Sequence, residues 1–339
     1  MLYKNTGNGL TYCLFLFILI SCELPSRQNQ GGSKPAVLRT VSADQNIPNE
    51  EYVMVTTAIN MPMYVNHDQA AFRRWGEQRG VKVSILGPAE WDVPLQIETI
   101  EQVIATRPTG LLINGTDPGI AQAINKAVDA GIPTVVYDSD IPNSKRHAFL
   151  GTDWYQIGLM QGEEMAKLIG GKGKVAYMGI LGLTNMEQGF QGMLDVFEKF
   201  PEIEVIGRYD DKANVETAAR ITSDLLAAHP DLAGICGFDS NSGPGIGLAV
   251  KEAGKVGKVK ITTVDWEPEH LQLVKEGVIQ MLAGQKRELF TWYGAQFLYD
   301  MVHNTNPLSS NDSELGITNV PNHVNTGLLR ITRENVDQF

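Results

Sequence analysis

Carboxylate and amide side chains recur where the apolar runs of this sequence end. Asp138, Asp239 and Asp265 each directly follow a short segment with a strand-like pattern, and Asn185 and Gln285 come soon after two others. Carboxylate oxygens accept hydrogen bonds, and amides both donate and accept them. Such a set suits a ligand with many hydroxyls, because each hydroxyl both donates and accepts. The pattern therefore predicts a site for a polyhydroxylated small molecule.

Aromatic and apolar residues accompany these polar groups. Tyr64 and Met63 follow the first apolar run, close to Asn60, and Trp154 and Trp266 follow later ones. The C–H face of a sugar ring packs on aromatic rings, which adds Tyr64 and one of the two tryptophans to the candidate site. An Asp or Asn directly after a strand can instead cap a helix, so the joint pattern carries more weight than any one residue.

The segments that must position these residues alternate between strand and helix patterns. Short β-branched runs, such as residues 52–59 and 133–137, are separated by stretches with helical spacing, such as residues 67–79 and 94–106. This alternation predicts an α/β fold of parallel sheets with helices on both faces. One open sheet of about ten strands would be unusual, so we predict two doubly wound parallel-sheet lobes. In such sheets ligands bind at the carboxyl ends of the strands.

Composition excludes several classes of partner. The formal net charge is −11, which argues against nucleic acid because its binding needs a basic surface. Three cysteines, Cys13, Cys22 and Cys236, are too few for a disulfide framework or a cysteine metal site. The six histidines form no ligand-spaced cluster. We therefore predict no metal and no other cofactor, and since no nucleophile has a placed His–Asp pair, no catalytic residues.

The N-terminal region has the layout of an exported lipoprotein. Lys4 precedes an apolar run that is too short to span a bilayer as a helix and ends in Leu19-Ile20-Ser21-Cys22. Residues 1–22 thus read as a secretory signal peptide whose end resembles the bacterial lipobox, which implies acylation of Cys22. Residues 23–49 are polar and predict a flexible tether. We expect a lipid-anchored protein in the periplasm or at the cell surface; an unlipidated signal peptide or a buried strand is the alternative.

From about residue 52 to its end, the sequence resembles the ribose-type (type I) periplasmic binding proteins of bacterial sugar ABC transporters. No single matching segment is specific to this family, but the order and the separations of the matching segments are. The segments are TAINMPMY at 57–64, LLINGTD at 111–117, GIPTVVYD at 131–138, GTD at 151–153, DSN at 239–241, VD at 264–265 and TRENVD at 332–337.

The resemblance implies a type I periplasmic binding protein fold, in which two lobes close on a ligand. Three hinge crossovers are expected near residues 152–153, 285–286 and 312–319. The N-terminal lobe would then comprise residues 50–152 and 286–314, and the C-terminal lobe residues 153–285 and 315–339. Carried over position by position, the implied ligand contacts are Asn60, Met63, Tyr64, Asp138, Asn185, Glu187, Asp239, Asn241, Asp265 and Gln285.

Some positions depart from the ribose-binding pattern and argue against ribose itself. Ser139 stands where ribose binders place an arginine, residues 185–189 lack the arginine common there, and Met61 and Met63 replace residues that are often Asn and aromatic. The predicted site then contains four carboxylates and no cation. Because uncompensated buried carboxylates are costly, we expect a neutral or positively charged ligand rather than a sugar acid or a phosphate.

The expected function is therefore capture of a sugar or polyol by a monomer that closes on it and delivers it to an ABC transporter permease. A sensing module that presents the ligand to a chemoreceptor or a histidine kinase would use the same closed lobes and stays open as an alternative. A secreted carbohydrate-active enzyme is less favoured, because no catalytic carboxylate pair is marked by spacing. A LacI-type repressor shares the core fold, but the lipobox argues against it.

Overall fold

The computed structural model describes residues 49–339, so the predicted signal peptide, Cys22 and most of the tether lie outside the described residues. The first part of the chain builds one α/β lobe. Its elements are β1 (Glu51–Val55), α1 (Ala70–Arg79), β2 (Lys82–Leu86), α2 (Val93–Thr106), β3 (Gly110–Gly115), α3 (Ala121–Asp129), β4 (Thr134–Asp138) and β5 (Ala148–Gly151). Asp153 follows where the chain leaves this lobe. Its carboxylate accepts a hydrogen bond from the Gln156 N–H (3.1 Å) and caps the next helix.

The middle of the chain builds the second lobe on the same plan. Its elements are α4 (Trp154–Leu168), β6 (Lys172–Gly179), α5 (Thr184–Phe197), β7 (Glu202–Asp210), α6 (Val215–Ala228), β8 (Leu232–Gly237), α7 (Ser242–Glu252), β9 (Lys260–Val264), α8 (Pro268–Lys275) and β10 (Met281–Gln285). After β10 the chain returns to the first lobe through α9 (Arg287–His303), α10 (Asp312–Leu315) and β11 (His323–Asn325), and then ends in the second lobe with β12 (Leu328–Thr332).

Each lobe contains a six-stranded sheet, and the two strand orders correspond. The orders are β11-β5-β4-β3-β1-β2 and β12-β10-β9-β8-β6-β7, so β4 matches β9 and β5 matches β10. Every pair in the first sheet is parallel. In the second sheet only β12 is antiparallel, against β10. The predicted α/β fold of two doubly wound lobes is confirmed, with one antiparallel edge strand added.

The chain crosses between the lobes three times, as predicted, but the third crossover lies elsewhere. The first is at residues 152–153 and the second at residue 286. Because β11 pairs with β5 in the first sheet, the third falls at Thr326 and Gly327 rather than at residues 312–319. The segment between residues 315 and 325 that we expected in the C-terminal lobe thus ends in a strand of the N-terminal sheet. Gly327 has φ of 78°, which suits glycine at this sharp passage.

Both faces of each sheet are buried under helices, which explains why the strands read as continuous apolar runs. In β1, Val53 and Val55 pack on one face of the sheet. Tyr52 and Met54 pack on the other. This arrangement leaves the carboxyl ends of the strands, which face the other lobe, as the place for polar residues. None of the helices described in residues 49–339 is long and apolar enough to cross a membrane.

Candidate functional site

A cavity of about 470 Å³ lies between the two lobes at the carboxyl ends of the strands. This volume includes the solvent at the mouth of the cavity. Eight of the ten predicted contact residues line it: Met63, Tyr64, Asp138, Asn185, Asp239, Asn241, Asp265 and Gln285. The first three belong to the N-terminal lobe and the other five to the C-terminal lobe, so the cavity is bounded by both.

Asp138 and Asp265 occupy equivalent places in the two lobes. Asp138 is the last residue of β4, and Asp265 directly follows β9, its counterpart. Both adopt a left-handed backbone, with φ of 79° and 65°, and both are buried in the cavity wall. Such a conformation costs a non-glycine residue about 1–3 kcal/mol. Its recurrence at two matching strand ends points to a functional requirement for these carboxylates.

The N-terminal wall contains a buried cation, which corrects the expectation of a site without one. Arg287, 1% exposed, donates from Nε and Nη2 to both oxygens of Asp68 (3.0 and 2.7 Å) and from Nη1 to Asp138 (3.0 Å). Burial opposes the charge, but Asp138 and Asp68 outweigh it and raise the pKa of Arg287 well above its usual range. Two carboxyl groups thus surround one guanidinium, and burial raises the pKa of Asp68 to about 7 against the lowering influence of Arg287.

Further contacts fix the Asp138 side of the cavity. The second carboxylate oxygen of Asp138 accepts a hydrogen bond from Asn114 Nδ2 (3.0 Å). Tyr64 begins the π-helical turn that also carries Asp68, and its ring centre lies 5.2 Å from the Arg287 guanidinium. Burial raises the pKa of the Tyr64 hydroxyl well above its usual range, which keeps it a neutral group. The polar groups on this wall are held by one another.

The C-terminal wall is held more loosely. Asp265 accepts one hydrogen bond from Gln285 Nε2 (3.0 Å). Burial raises the pKa of Asp265 to about 6, against the lowering influence of Arg287 and of the Gln285 hydrogen bond. The indole Nε1 of Trp266 donates to the Gln285 carbonyl (2.9 Å), and Trp266 does not line the cavity. Of the two tryptophans predicted as candidates, Trp154 is therefore the one that lines the cavity.

Asp239 combines a structural contact with its place in the wall. Its Oδ1 accepts from the backbone N–H groups of Asn241 (2.8 Å) and Ser242 (3.2 Å) at the start of α7. Ser242 Oγ lies 2.8 Å from Asp239 Oδ2 and 2.6 Å from Asp211 Oδ2. Burial and the Asp239 charge raise the pKa of Asp211. One hydroxyl cannot donate to both carboxylates, and a proton held on Asp211 relieves the repulsion between them.

Three buried polar atoms of the cavity wall lack a partner within residues 49–339. They are Trp154 Nε1, Asn185 Oδ1 and Gln285 Oε1, one donor and two acceptors. Buried polar groups are nearly always hydrogen-bonded, and leaving one unsatisfied costs about 1–3 kcal/mol. All three belong to the second lobe. Their chemistry matches a ligand whose groups both donate and accept.

Asn60 and Glu187 lie outside the cavity, which corrects two of the predicted contacts. Asn60 is exposed, and its backbone N–H bonds the Ala89 carbonyl in the adjoining loop (3.4 Å). Glu187 forms an ion pair with Arg208 and accepts from the Gly182 N–H (3.4 Å). Asn185 lies on the inner face of α5, and two residues further on a helix lies on a different face. The Arg208 hydrogen bond lowers the pKa of Glu187 and keeps it an ion.

Several wall residues were not among the predicted contacts. Trp91 and Thr116 lie in loops after β2 and β3, and Arg287 is the second residue after β10. Each follows a strand, so the strand-end rule that found Asp138 could have found them too. The strand-end rule could not have found Met186, because its position in the cavity wall depends on where α5 begins. No group of three His, Cys, Asp or Glu side chains in residues 49–339 is arranged to hold a metal ion.

The family of this chain follows from a match between residues 52–306 and the model of the periplasmic binding protein domain. The chain belongs to that family. The predicted resemblance is confirmed, and a member of this family is a binding protein rather than an enzyme, as expected.

Similar proteins extend this finding. The chain is 25% identical to a D-ribose/D-allose-binding protein of Pseudomonas aeruginosa over 240 residues. This aligned region covers 68% of this chain and 74% of that protein. Among solved structures, a sugar-binding protein of a sugar ABC transporter from Bacillus halodurans has a TM-score of 0.76 and 34% identity, covering 86% of this chain and 100% of that one. AraP, an arabinose-binding protein from Geobacillus stearothermophilus, has a TM-score of 0.73, also with 34% identity, over 86% and 99% of the two chains.

Proposed function

We propose that this protein binds a sugar or polyol between its lobes, outside the cytoplasm, and delivers it to an ABC transporter permease. The lobes would close on the ligand, and the closed form would be the one that the permease recognises. The signal peptide pattern at residues 1–22 supports export, and Cys22 would carry the lipid anchor. The protein would act as a monomer and without a cofactor.

The observation that carries this function is the composition of the interlobe wall. Two matched carboxylates, Asp138 and Asp265, face the same cavity as three buried polar atoms without partners. Hydroxyl groups satisfy both kinds of atom, since they donate to the carboxylates and accept from the Trp154 indole. Asn185, Asp239, Asn241 and Gln285 would complete the hydrogen bonds, and Met63, Tyr64 and Trp154 would pack on the C–H faces.

The charges in the wall support a neutral ligand. Arg287 already contacts Asp68 and Asp138 with three of its nitrogens, so its charge is offset within the protein. An anionic ligand would meet Asp138, Asp239 and Asp265 with no uncommitted cation in the described cavity wall. Repulsion from these carboxylates would outweigh any gain from Arg287. We therefore propose a neutral sugar or polyol, or a cationic amino sugar, and not a sugar acid or phosphate.

The names of similar proteins narrow the first ligands to be tested. They include D-ribose, D-allose and arabinose binders. A thermal-shift panel on the full chain should therefore contain these sugars, D-xylose, D-galactose and D-glucose, common polyols, glucosamine, and gluconate and ribose 5-phosphate as anionic probes. A ligand at about 100 times its Kd stabilises the folded state by roughly 2.7 kcal/mol. We expect a shift with at least one neutral member and none with the anions.

A pair of asparagine variants tests the place of binding. Asn185→Leu removes a buried cavity acceptor without a partner, whereas Asn60→Leu changes an exposed residue outside the cavity. The shift should be lost or reduced in the first variant and retained in the second. A panel with no shift for any sugar or polyol would refute the function, and equal behaviour of the two variants would refute the site.

A further inference from the structure

A second cavity adjoins the first between the lobes. It encloses about 1050 Å³, including the solvent at its mouth, and it shares Asp138, Trp154 and Asn185 with the first cavity. It extends past Ser139 towards Thr152, at the first crossover, and Asn325, which precedes the third. The space available between the lobes is therefore longer than the cavity assigned above to one sugar ring.

The wall of this second cavity is a built polar surface. Ser139 and Thr152 are each only 5% exposed, and Thr152 Oγ1 is buried without a partner among the described residues. Trp154 Nε1 and Asn185 Oδ1, also buried and unpartnered, lie at the junction of the two cavities. Unsatisfied buried groups are costly, so three such atoms along one channel indicate hydrogen bonds to a ligand there.

The carboxylates along this cavity are already engaged within the protein. Asp140 is paired with Arg146 through two contacts, Nε to Oδ1 (2.5 Å) and Nη2 to Oδ2 (2.7 Å). Asp138 is bonded to Arg287 and Asn114, and Asp153 caps α4. With these charges committed, the groups left for a ligand are hydroxyls, amides and the His323 imidazole, whose Nδ1 lies 3.8 Å from Asp140. Their chemistry favours a neutral hydroxylated group over an ion.

We propose that the second cavity is a subsite for a second hydroxylated unit, so that the physiological ligand is a disaccharide or a glycoside with a hydroxylated aglycone. This inference rests on the proposed function, because the first unit would occupy the cavity lined by Asp138 and Asp265. The link between the units would pass Trp154 and Asn185. The second unit would bond Ser139 and Thr152, with Gln188 of α5 on the opposite wall.

Isothermal titration of the full chain compares single sugars with their two-unit forms. The probes are L-arabinose, D-xylose, D-glucose and D-galactose against arabinobiose, xylobiose, cellobiose, maltose and lactose. At least one disaccharide should bind about tenfold or more tightly than the monosaccharide it contains. A monosaccharide that binds while every disaccharide binds no better would overturn the subsite and leave the proposed function standing. No binding by either class would overturn both.

Two glutamine variants place the second unit. Gln188 and Gln191 are both exposed on α5, but only Gln188 lines the second cavity. Gln188→Trp should weaken disaccharide binding about tenfold while monosaccharide affinity stays within about twofold. Gln191→Trp, the control, should change neither. If Gln188→Trp leaves the disaccharide unaffected, or weakens both ligands equally, the second unit does not lie in this cavity.

Discussion

The two lobes present the same carboxylate at the same strand end but support it differently. Asp138 is bonded to Arg287 and Asn114, so both of its oxygens have protein partners. Within residues 49–339, Asp265 accepts a side-chain hydrogen bond only from Gln285 Nε2, and Gln285 Oε1 has no partner. The N-terminal wall is thus complete without ligand, and the C-terminal wall is not. Polar groups of the C-terminal wall still need hydrogen-bond partners. We therefore expect a hydroxylated ligand between the two walls to favour closure of the lobes.

The difference arises where the chain leaves β10. Gln285 ends that strand in the second lobe, and Arg287, two residues later, begins α9, which packs on the sheet of the first lobe. The second crossover therefore supplies an amide to one wall and a guanidinium to the other. A rotation of the lobes about residue 286 would move these two groups apart, which couples the hinge to both halves of the site.

Loss of the guanidinium should have the largest effect. Arg287→Met leaves Asp68, which is 0% exposed, and Asp138 without their cation. Breaking a buried ion pair by removing one partner costs about 3–5 kcal/mol. Gln285→Met removes only an amide from Asp265 and should cost about 1–3 kcal/mol. Urea denaturation of the two variants measures the difference. Equal losses would mean that the two walls are equally dependent on their partners.

Neutralising each carboxylate should separate stability from affinity. Asp265→Asn removes a charged acceptor and should weaken ligand binding by about 1.5–3 kcal/mol without destabilising the fold, because the raised pKa of Asp265 means that its buried charge itself costs stability. Asp138→Asn should weaken binding by a similar amount and also destabilise the fold, because Arg287 loses a charged partner. Titration calorimetry and urea denaturation on both variants test this. If Asp265→Asn destabilised the protein as much as Asp138→Asn, the contrast between the walls would be contradicted.

The pH dependence should give the smallest effect, and among the carboxylates that line the cavity we assign it to Asp265. The pKa of Asp265 is raised from 3.8 to about 6. Because the folded state keeps this proton to a higher pH than the unfolded chain, the contribution of Asp265 to stability falls as pH rises between these values. Ligand binding should change in the opposite direction, since hydroxyls donate best to the ionised carboxylate. Affinity should fall as pH drops below about 6, by up to about tenfold per pH unit.

Asp265→Asn is the control for that dependence. It has no proton to lose at this position, so its affinity, although weaker, should stay flat from about pH 5 to 7. Calorimetric titrations at several pH values compare it with the unchanged protein. The same slope in both would assign the dependence to another group.

The parts of the site that could be predicted are those that follow from local pattern. Strand and helix alternation gave the two lobes, and the strand-end rule found Asp138 and Asp265. The role of Arg287 depends on Asp68, which is 219 positions away in the chain, and no local pattern links them. Glu187 was carried over from the family resemblance, which does not fix the helix face that it occupies; that face depends on where α5 begins, at Thr184.

Similar reasons explain the other corrections. Asn60 lies in a loop that turns back on itself, with the Met61 N–H bonded to the Ala58 carbonyl (3.2 Å), and such a turn decides side-chain direction without changing composition. The resemblance placed the third crossover near residues 312–319, but it lies between β11 and β12, two short strands separated by two residues. Only pairing with β5 on one side and β10 on the other divides them.

The three crossovers also have a consequence for how the molecule is made. The first sheet gains its edge strand only when β11, residues 323–325, pairs with β5, and it is covered by α9, which follows the elements α4 to β10 of the second lobe. Neither half is a contiguous piece of chain, because the first lobe needs residues 323–325 and the second needs residues 328–332. A nascent polypeptide of this design stays incomplete until synthesis is nearly over, which suits a chain that we propose to be threaded through an export channel.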